Sequence, residues 1–405
     1  KTASVKSKSG VQAEVNIGMV GHVDHGKSSL VRALTGKWTD THSEELKRGI
    51  TIRLGYADTV FRKCSKCRGM ESFGVKEKCK KCGSATKELR MVSFVDAPGH
   101  ETLMTTMLSG AAVMDGAILV IAANENCPQP RTEEHLMALK IAGIRSVVVA
   151  QNKADLVSHE DALKNYGQIK EFLKDYEYGH VPVIPISATL ESNLDALVES
   201  LEENIPTPKR DVSKPLKMFV SRSFDVNKPG AKIQGLVGGV LGGSIIEGKT
   251  RPGMDVELSP GINNKPLLLK VKNLHTSSGE LSEALPGGLI AMGTELDPSL
   301  TQNDKLRGHV IGVPGSLPKP RERLAMEVHE LDRLIGEKLP PIKTGELLVL
   351  TIGTMTIVGE AVSLKKSELE VALKGVAVWW PNQKISITRR EKGAWRLKAY
   401  GIAKA

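Results

Sequence analysis

The chain has 405 residues, of which 40% are hydrophobic, 4% aromatic and 25% charged, and its formal net charge is +10. That length exceeds one ordinary core and calls for two to three domains of about 100–200 residues each. No run of about 18 apolar residues could span a bilayer, and the opening KTASVKSKSGVQAE lacks the apolar centre of a secretory signal, so a cytoplasmic protein without a membrane partner is expected.

In chain order, VNIGMV (15–20) predicts a strand and 27–35 a helix, and between them GHVDHGKSSL fits G-x-x-x-x-G-K-[ST] at Gly21, Gly26, Lys27 and Ser28. A glycine-framed turn at a helix N-terminus lines up backbone N–H groups for phosphate. Lys27 supplies a cation for the β- and γ-phosphates, and the Ser28 hydroxyl suits Mg²⁺. RGITI (48–52) places Thr51 in a loop where its hydroxyl can complete the Mg²⁺ shell only while a γ-phosphate is present.

Four of the five cysteines follow. CSKC (64–67) and CKKC (79–82) give C-x₂-C-x₁₁-C-x₂-C, so Cys64, Cys67, Cys79 and Cys82 are expected to close a structural Zn²⁺ site within a knuckle at 62–84. The knuckle lies in the chain between RGITI and DAPGH and is expected to adjoin both of those loops. MVSFVDA (91–97) predicts a strand running into DAPGH. There Asp96 can hold Mg²⁺ through water, the Gly99 N–H can meet the γ-phosphate, and His100 can orient the attacking water, which makes His100 the catalytic candidate. Loss of the phosphate would release both loops, so hydrolysis works as a switch.

A helix is predicted over 101–113, with Leu103, Met104, Met107, Leu108 and Met114 as core rather than a cofactor box. GAILVIAA (116–123) predicts a strand, Cys127 a small buried or loop residue, and 131–142 a helix. SVVVAQN (146–152) predicts a strand that ends in NKAD. At that position Asp155 can accept from the N1–H and exocyclic amine of guanine, Asn152 can contact the opposite ring edge, and Lys153 can lie along the base. After a helix over 159–176, VPVIPIS (181–187) ends in SAT, whose backbone N–H groups at Ser187 and Ala188 could donate to guanine O6. A last helix is predicted over 193–204. Continuous apolar strands alternating with helices predict a doubly wound, mostly parallel α/β domain.

IPTPKRDVSKP (205–215) breaks that rhythm, and short alternating segments punctuated by Gly and Pro take over, pointing to β-barrels or sandwiches. GGVLGG (238–243) has no strand–turn–helix context and is expected to serve turns and close packing. GVPGSLPKPRER (312–323) separates a further β-rich stretch. The expected divisions are 1–208, 209–324 and 325–405. Residues 62–90 carry ten Lys and Arg against three Glu, and 384–405 carry seven against one, localised positive fields that suit a polyanion.

Together GHVDHGKS, RGITI, DAPGH, NKAD and SAT resemble, in order and spacing, the nucleotide motifs of the translational GTPases of the elongation factor Tu type. TDTHSEELKRGITIRLGYAD (39–58), MDGAILVIAANENCPQPRTEEHLMAL (114–139), IPTPKRD and RSFDVNKPG (222–230) narrow the resemblance to the gamma-subunit family of archaeal and eukaryotic translation initiation factor two, the archaeal form fitting the short tails. The resemblance implies a P-loop GTPase domain followed by two β-barrel domains. It further implies GTP or GDP with Mg²⁺, alpha and beta partner subunits, methionyl initiator tRNA as cargo and the small ribosomal subunit as destination. It assigns Gly21, His22, Val23, Asp24, His25, Gly26, Lys27, Ser28 and Ser29 to the phosphates, with Asp24 a possible extra cation ligand. Ser28, Thr51 and Asp96 go to Mg²⁺, Gly99 and His100 to the γ-phosphate and water, and Asn152, Lys153, Asp155, Ser187 and Ala188 to guanine. The knuckle also resembles that of the family. Alternatives are an elongation factor for ordinary or selenocysteinyl tRNA, the GTPase subunit of a sulfate-activating complex, and a nucleotide-gated scaffold for partner proteins.

Overall fold

The computed structural model describes residues 10–39, 54–98, 104–228, 230, 237–331, 333–334, 337–338, 340–391 and 394–404. Its first unit holds strands β1 (Val15–Gly21), β2 (Gly55–Cys64), β3 (Phe73–Gly74), β4 (Thr86–Asp96), β5 (Gly116–Ala122), β6 (Val147–Asn152) and β7 (Val183–Pro185). They form one sheet in the order β3-β2-β4-β1-β5-β6-β7. From β4 to β7 every neighbouring pair is parallel, while β2 runs antiparallel to β4 and to β3. β1, β5 and β6 are buried along their whole length, because helices cover both faces, and that is why they read as unbroken apolar runs.

The helices are α1 (Lys27–Thr35), α2 (Met104–Ala111), α3 (Pro130–Ala142), α4 (His159–Asp175) and α5 (Leu194–Asn204). Local chemistry sets their ends. Pro130 starts α3, Gly143 at φ 81 stops it, and the Ser158 hydroxyl caps α4 by accepting from the Asp161 N–H. Leu30, Val31 and Leu34 of α1 pack with Leu197, Val198 and Leu201 of α5 on one face. On the other face Met104 and Met107 of α2 join Leu136 and Leu139 of α3 and Ile169, Phe172 and Leu173 of α4. The methionines are therefore core, as expected. Cys127 is buried too, and burial pushes its thiol up to about 12, which leaves it inert.

The sequence reading missed β2 and the first five residues of β4. Both are only half covered and carry charges, so no apolar run marks them.

Residues Lys217 to Gly312 form an eight-stranded antiparallel sheet around a core that includes Met218, Leu241, Leu258, Leu274 and Ile311. The expected plan of an α/β domain followed by β-barrel units is borne out, the middle unit having the strands Lys265–Lys270 and Gly279–Glu280 at the two ends of its sheet order. Residues Arg321 to Ala403 close into a six-stranded barrel. Gly243 shows why the glycine-rich run packs closely: a Cβ there would meet the Phe219 carbonyl oxygen at 1.9 Å.

The units are bolted together by polar side chains. Fully buried Asn16 donates from Nδ2 to Val113 O at 2.9 Å and to Ser244 Oγ at 3.1 Å. The 205–215 connection is pinned as well: Arg90 donates to Ile205 O at 2.7 Å and to Thr207 Oγ1 at 3.1 Å, and Arg210 pairs with Asp115 at 2.5 Å. Residues 10–14 lie along the middle sheet, with the Gly10 N–H on Glu280 O and the Gly288 N–H on Ala13 O.

Candidate nucleotide site and zinc knuckle

Three strand ends converge on the loop between β1 and α1, at the carboxyl edge where a doubly wound sheet places its ligands. Gly21 closes β1 at φ 140 and Gly26 precedes α1 at φ 90, conformations that favour glycine. A Cβ on Gly26 would stand 2.3 Å from Asn152 Nδ2, and one on Gly21 would stand 2.3 Å from Val120 O. The loop can therefore lie this close to β5 and β6 only with glycines at both ends.

Lys27 is buried and donates from Nζ to Gly21 O at 3.1 Å and to His22 O at 2.6 Å, so its ammonium sits inside the curl of the loop. His22 is half-buried. His25 is fully buried, with Nδ1 3.1 Å from Val120 O and Nε2 3.3 Å from Glu125 Oε2. Burial holds both imidazoles below their usual pKa, and Glu125 opposes it in each case. Asp24 is exposed in mid-loop at φ 60, a left-handed conformation that aspartate tolerates, so its carboxylate is solvated.

Ser28 Oγ donates to Asp96 Oδ2 at 2.8 Å. The first residue pair assigned to Mg²⁺ is thus brought together from α1 and the end of β4. A hydroxyl and a carboxylate oxygen at a helix N-terminus are hard donors of the kind Mg²⁺ takes, so the residues fit the ion. Thr39 Oγ1 also donates to Asp96 Oδ2, at 2.6 Å. Thr39, the first residue of the stretch 39–58, carried no site assignment in the sequence. Thr51, Gly99 and His100 lie outside the described residues.

Asn152 works as a bracket. Its Nδ2 donates to His25 O at 2.9 Å, its Oδ1 accepts from the Ala188 N–H at 3.0 Å, and it is buried. One side chain thus ties the phosphate loop to the SAT loop, a role the sequence did not reveal. The Ser187 N–H donates to Ser192 O at 3.2 Å, and the Ser187 hydroxyl accepts from the Leu190 N–H at the same distance. The two backbone donors read as reaching a base oxygen are therefore engaged within the protein, and they fix the loop's shape. Lys153 is left-handed at φ 61, and exposed Asp155 follows in a short turn pinned by the Ala154 N–H on Ile186 O at 3.1 Å. Asn152→Ala strips both bracket bonds and leaves His25 O and the Ala188 N–H without that partner. A loss of about 2–4 kcal/mol is expected, read as a lower Tm of the free protein.

The four knuckle sulfurs lie within 4.8 Å of one another, with Cys64–Cys82 at 3.5 Å and Cys67–Cys79 at 3.8 Å. A tetrahedral zinc with Zn–S bonds of about 2.3 Å needs sulfurs about 3.8 Å apart, so the set fits Zn²⁺ and none of the pairs is a disulfide. Residues 48–52 and 99–100, which the knuckle was expected to adjoin, lie outside the described residues, and the β2–β4 ladder positions nearest them, Gly55 and Asp96, lie at the opposite end from the knuckle. Gly55 pairs with Asp96 at one end of the β2–β4 ladder and Cys64 with Thr86 at the other. At about 3.3 Å per residue, that puts Cys64 roughly 30 Å along the strand from Gly55. The knuckle docks on α5 instead. Phe73 and Val75 pack against the core beside Leu194, Lys76 pairs with Glu191 at 2.8 Å, and Lys80 Nζ donates to Glu191 O at 3.3 Å.

The positive segments are also less available than their counts suggest. Buried Arg90 pairs with Glu202 at 2.7 Å. In 384–405, buried Arg389 bonds Glu346 and Glu391, buried Lys398 pairs with Glu330 at 2.7 Å, and Arg396 pairs with Glu134 at 2.9 Å. Charge on the C-terminal strands thus serves the barrel and its contact with α3. The knuckle lysines, by contrast, stay exposed.

Residues 12–207 match the family model of the elongation factor Tu GTP binding domain, and 322–403 that of the C-terminal domain of initiation factor eIF2 gamma. Translation initiation factor 2 subunit gamma of Methanosarcina mazei is 54% identical over 403 residues, covering 96% of this chain and 94% of that protein. The proteins of the same description from Methanothermobacter thermautotrophicus and Pyrococcus horikoshii are 53% and 52% identical, each over 97% of this chain. Among solved structures, a bacterial selenocysteine-specific elongation factor superposes with TM-score 0.75 at 24% identity, over 97% of this chain and 58% of that one. Elongation factor SelB of Methanococcus maripaludis, bound to a GTP analogue, superposes at 0.72 and 20% over 98% and 80%. Those two likenesses establish the fold alone. Among the described residues no helix is long and apolar enough to cross a membrane.

Proposed function

The chain belongs to the gamma-subunit family of translation initiation factor 2, whose members are GTP-hydrolysing translational GTPases, and on that premise we propose that it delivers methionylated initiator tRNA. It does so in its GTP state, in the cytoplasm, as the core of a heterotrimer with alpha and beta subunits, and it releases the tRNA on the small ribosomal subunit after hydrolysis. The observation that carries this reading is the extent of the similarity: 54% identity overall across 96% of the chain, together with a match of 322–403 to the family's own C-terminal domain.

Within that function, Gly21 to Ser29 cradle the phosphates, with Lys27 exchanging the loop carbonyls for β- and γ-oxygens. Asn152, Lys153, Asp155, Ser187 and Ala188 form the guanine pocket. Ser28, Asp96 and Thr51 hold Mg²⁺, with Asp24 a further candidate ligand, and the ion when bound offsets phosphate charge. Thr51 and the Gly99 N–H report the γ-phosphate, and His100 orients the attacking water. The four cysteines hold Zn²⁺ as a structural staple.

The test is filter binding of initiator and elongator methionyl-tRNA to the reconstituted trimer, with GTP or GDP. Initiator tRNA is expected to bind at least about tenfold tighter in the GTP state and tighter than the elongator. Equal binding of the two tRNAs would sink the proposal. Preference for a selenocysteinyl tRNA would move the chain to the function of its structural neighbours.

A further inference from the structure

One buried imidazole stands behind the phosphate loop without belonging to any nucleotide motif. His135 lies in α3, is 1% exposed, and its Nδ1 accepts from the Gly21 N–H at 2.9 Å. We propose that His135 is a positioning residue for nucleotide binding, holding the first peptide of the phosphate loop so that the loop stays open to phosphate. The proposal rests on the reading of Gly21 to Ser29 as the phosphate site.

Gly21 is fixed from three directions. Its N–H goes to His135, its carbonyl receives the Lys27 ammonium at 3.1 Å, and the β5 backbone stands where a Cβ would be. Of these only His135 is a side chain from outside the loop, α1 and the sheet, so it alone sets the tilt of the peptide between Val20 and Gly21 from behind. Accepting an N–H requires an unprotonated Nδ1, which fits an imidazole held neutral by burial and by the nearby Lys27 and Arg131 charges.

The helix that carries His135 cannot easily shift to follow a moving loop. The next residue back, Glu134, is fully buried, bonded to Arg131 of its own helix and, at 2.9 Å, to Arg396 of the C-terminal barrel. The acceptor behind the phosphate loop is thereby referenced to the third unit of the chain. Without it the Gly21 N–H becomes a buried donor lacking that partner, and the loop gains freedom that phosphate binding must remove.

Three replacements separate positioning from bulk. His135→Asn places an amide oxygen near the Nδ1 position, His135→Gln moves it one bond farther, and His135→Leu fills space without an acceptor. Dissociation of a fluorescent GDP analogue from the purified full chain is the measurement. The Leu and Gln variants are expected to release GDP about tenfold faster and Asn within about threefold of the parent, with single-turnover GTP cleavage at saturating nucleotide changed less than about twofold in all three. If Leu does not fold, the Asn and Gln pair still decides. Equal release rates for Asn and Gln, or parent-like release from Leu, would overturn the proposal. Lys27→Ala is the control for the underlying reading: if it leaves GDP binding intact, the phosphate site itself has been misplaced.

Discussion

Asp155→Asn is expected to weaken GTP binding by about two to four orders of magnitude and to make xanthosine triphosphate the better ligand. Guanine presents two adjacent donors, N1–H and the exocyclic amine, and a carboxylate can accept both. Hydrogen bonds to a charged acceptor contribute about 1.5–3 kcal/mol each, so loss of the pair amounts to roughly 3–6 kcal/mol. An amide keeps one acceptor and turns an NH₂ toward guanine's own amine, whereas xanthine offers a carbonyl at that position. The turn carrying Asp155 is braced independently of its carboxylate, by the Asn152 bracket and by the Ala154 N–H on Ile186 O. The substitution should therefore leave the fold untouched and act on the base alone. Competition between GTP, xanthosine triphosphate and ATP for the variant is the measurement. A variant that still prefers GTP would show that Asp155 does not read the base.

The sequence was most legible where physics is local. Parallel strands covered on both faces must be apolar throughout, so β1, β5 and β6 announced themselves, and α1 began where a glycine turn hands over to Lys27. The phosphate loop and the cysteine set were legible because each depends on fixed spacing within a short stretch. What stayed hidden depends on partners far apart in the chain. His135 meets Gly21 across 114 residues and Asn152 meets His25 across 127, and no periodicity encodes either contact. Charge misled for the same reason. Arg90, Arg389 and Lys398 count as positive in any window, but each is buried against a carboxylate far along the chain, Glu202, Glu346 and Glu330 in turn. Adjacency in sequence is a weak guide for the knuckle too, because β2 and β4 form a long hairpin that carries the cysteines away from Gly55 and Asp96.

That displacement makes the second large effect a selective one. Replacing Cys64 and Cys79 together with Ser is expected to abolish zinc binding, since each dithiol turn then supplies one thiolate and the closed tetrahedral shell cannot form. Structural zinc in small peptides contributes about 10–16 kcal/mol of apparent binding energy, and residues 65–85 have few other means of holding shape. Apart from Phe73 and Val75 against the core, the short β2–β3 ladder and the Lys78–Ala85 bridge, the knuckle's side-chain ties are exposed ion pairs such as Lys76–Glu191, which contribute about 0–1 kcal/mol each. Without the metal, limited proteolysis should cut within 65–85 while the flanking β2–β4 ladder stays protected. GTP affinity should remain within about threefold, because the ladder separates Cys64 from Asp96 and the base loop has its own brace in Asn152. Metal content, cleavage sites and nucleotide affinity, measured on one preparation, test the three parts together. Collapse of nucleotide binding along with zinc would mean that the Lys76 and Lys80 contacts to Glu191 hold the base loop, and the knuckle would then be part of the nucleotide site rather than a staple on α5.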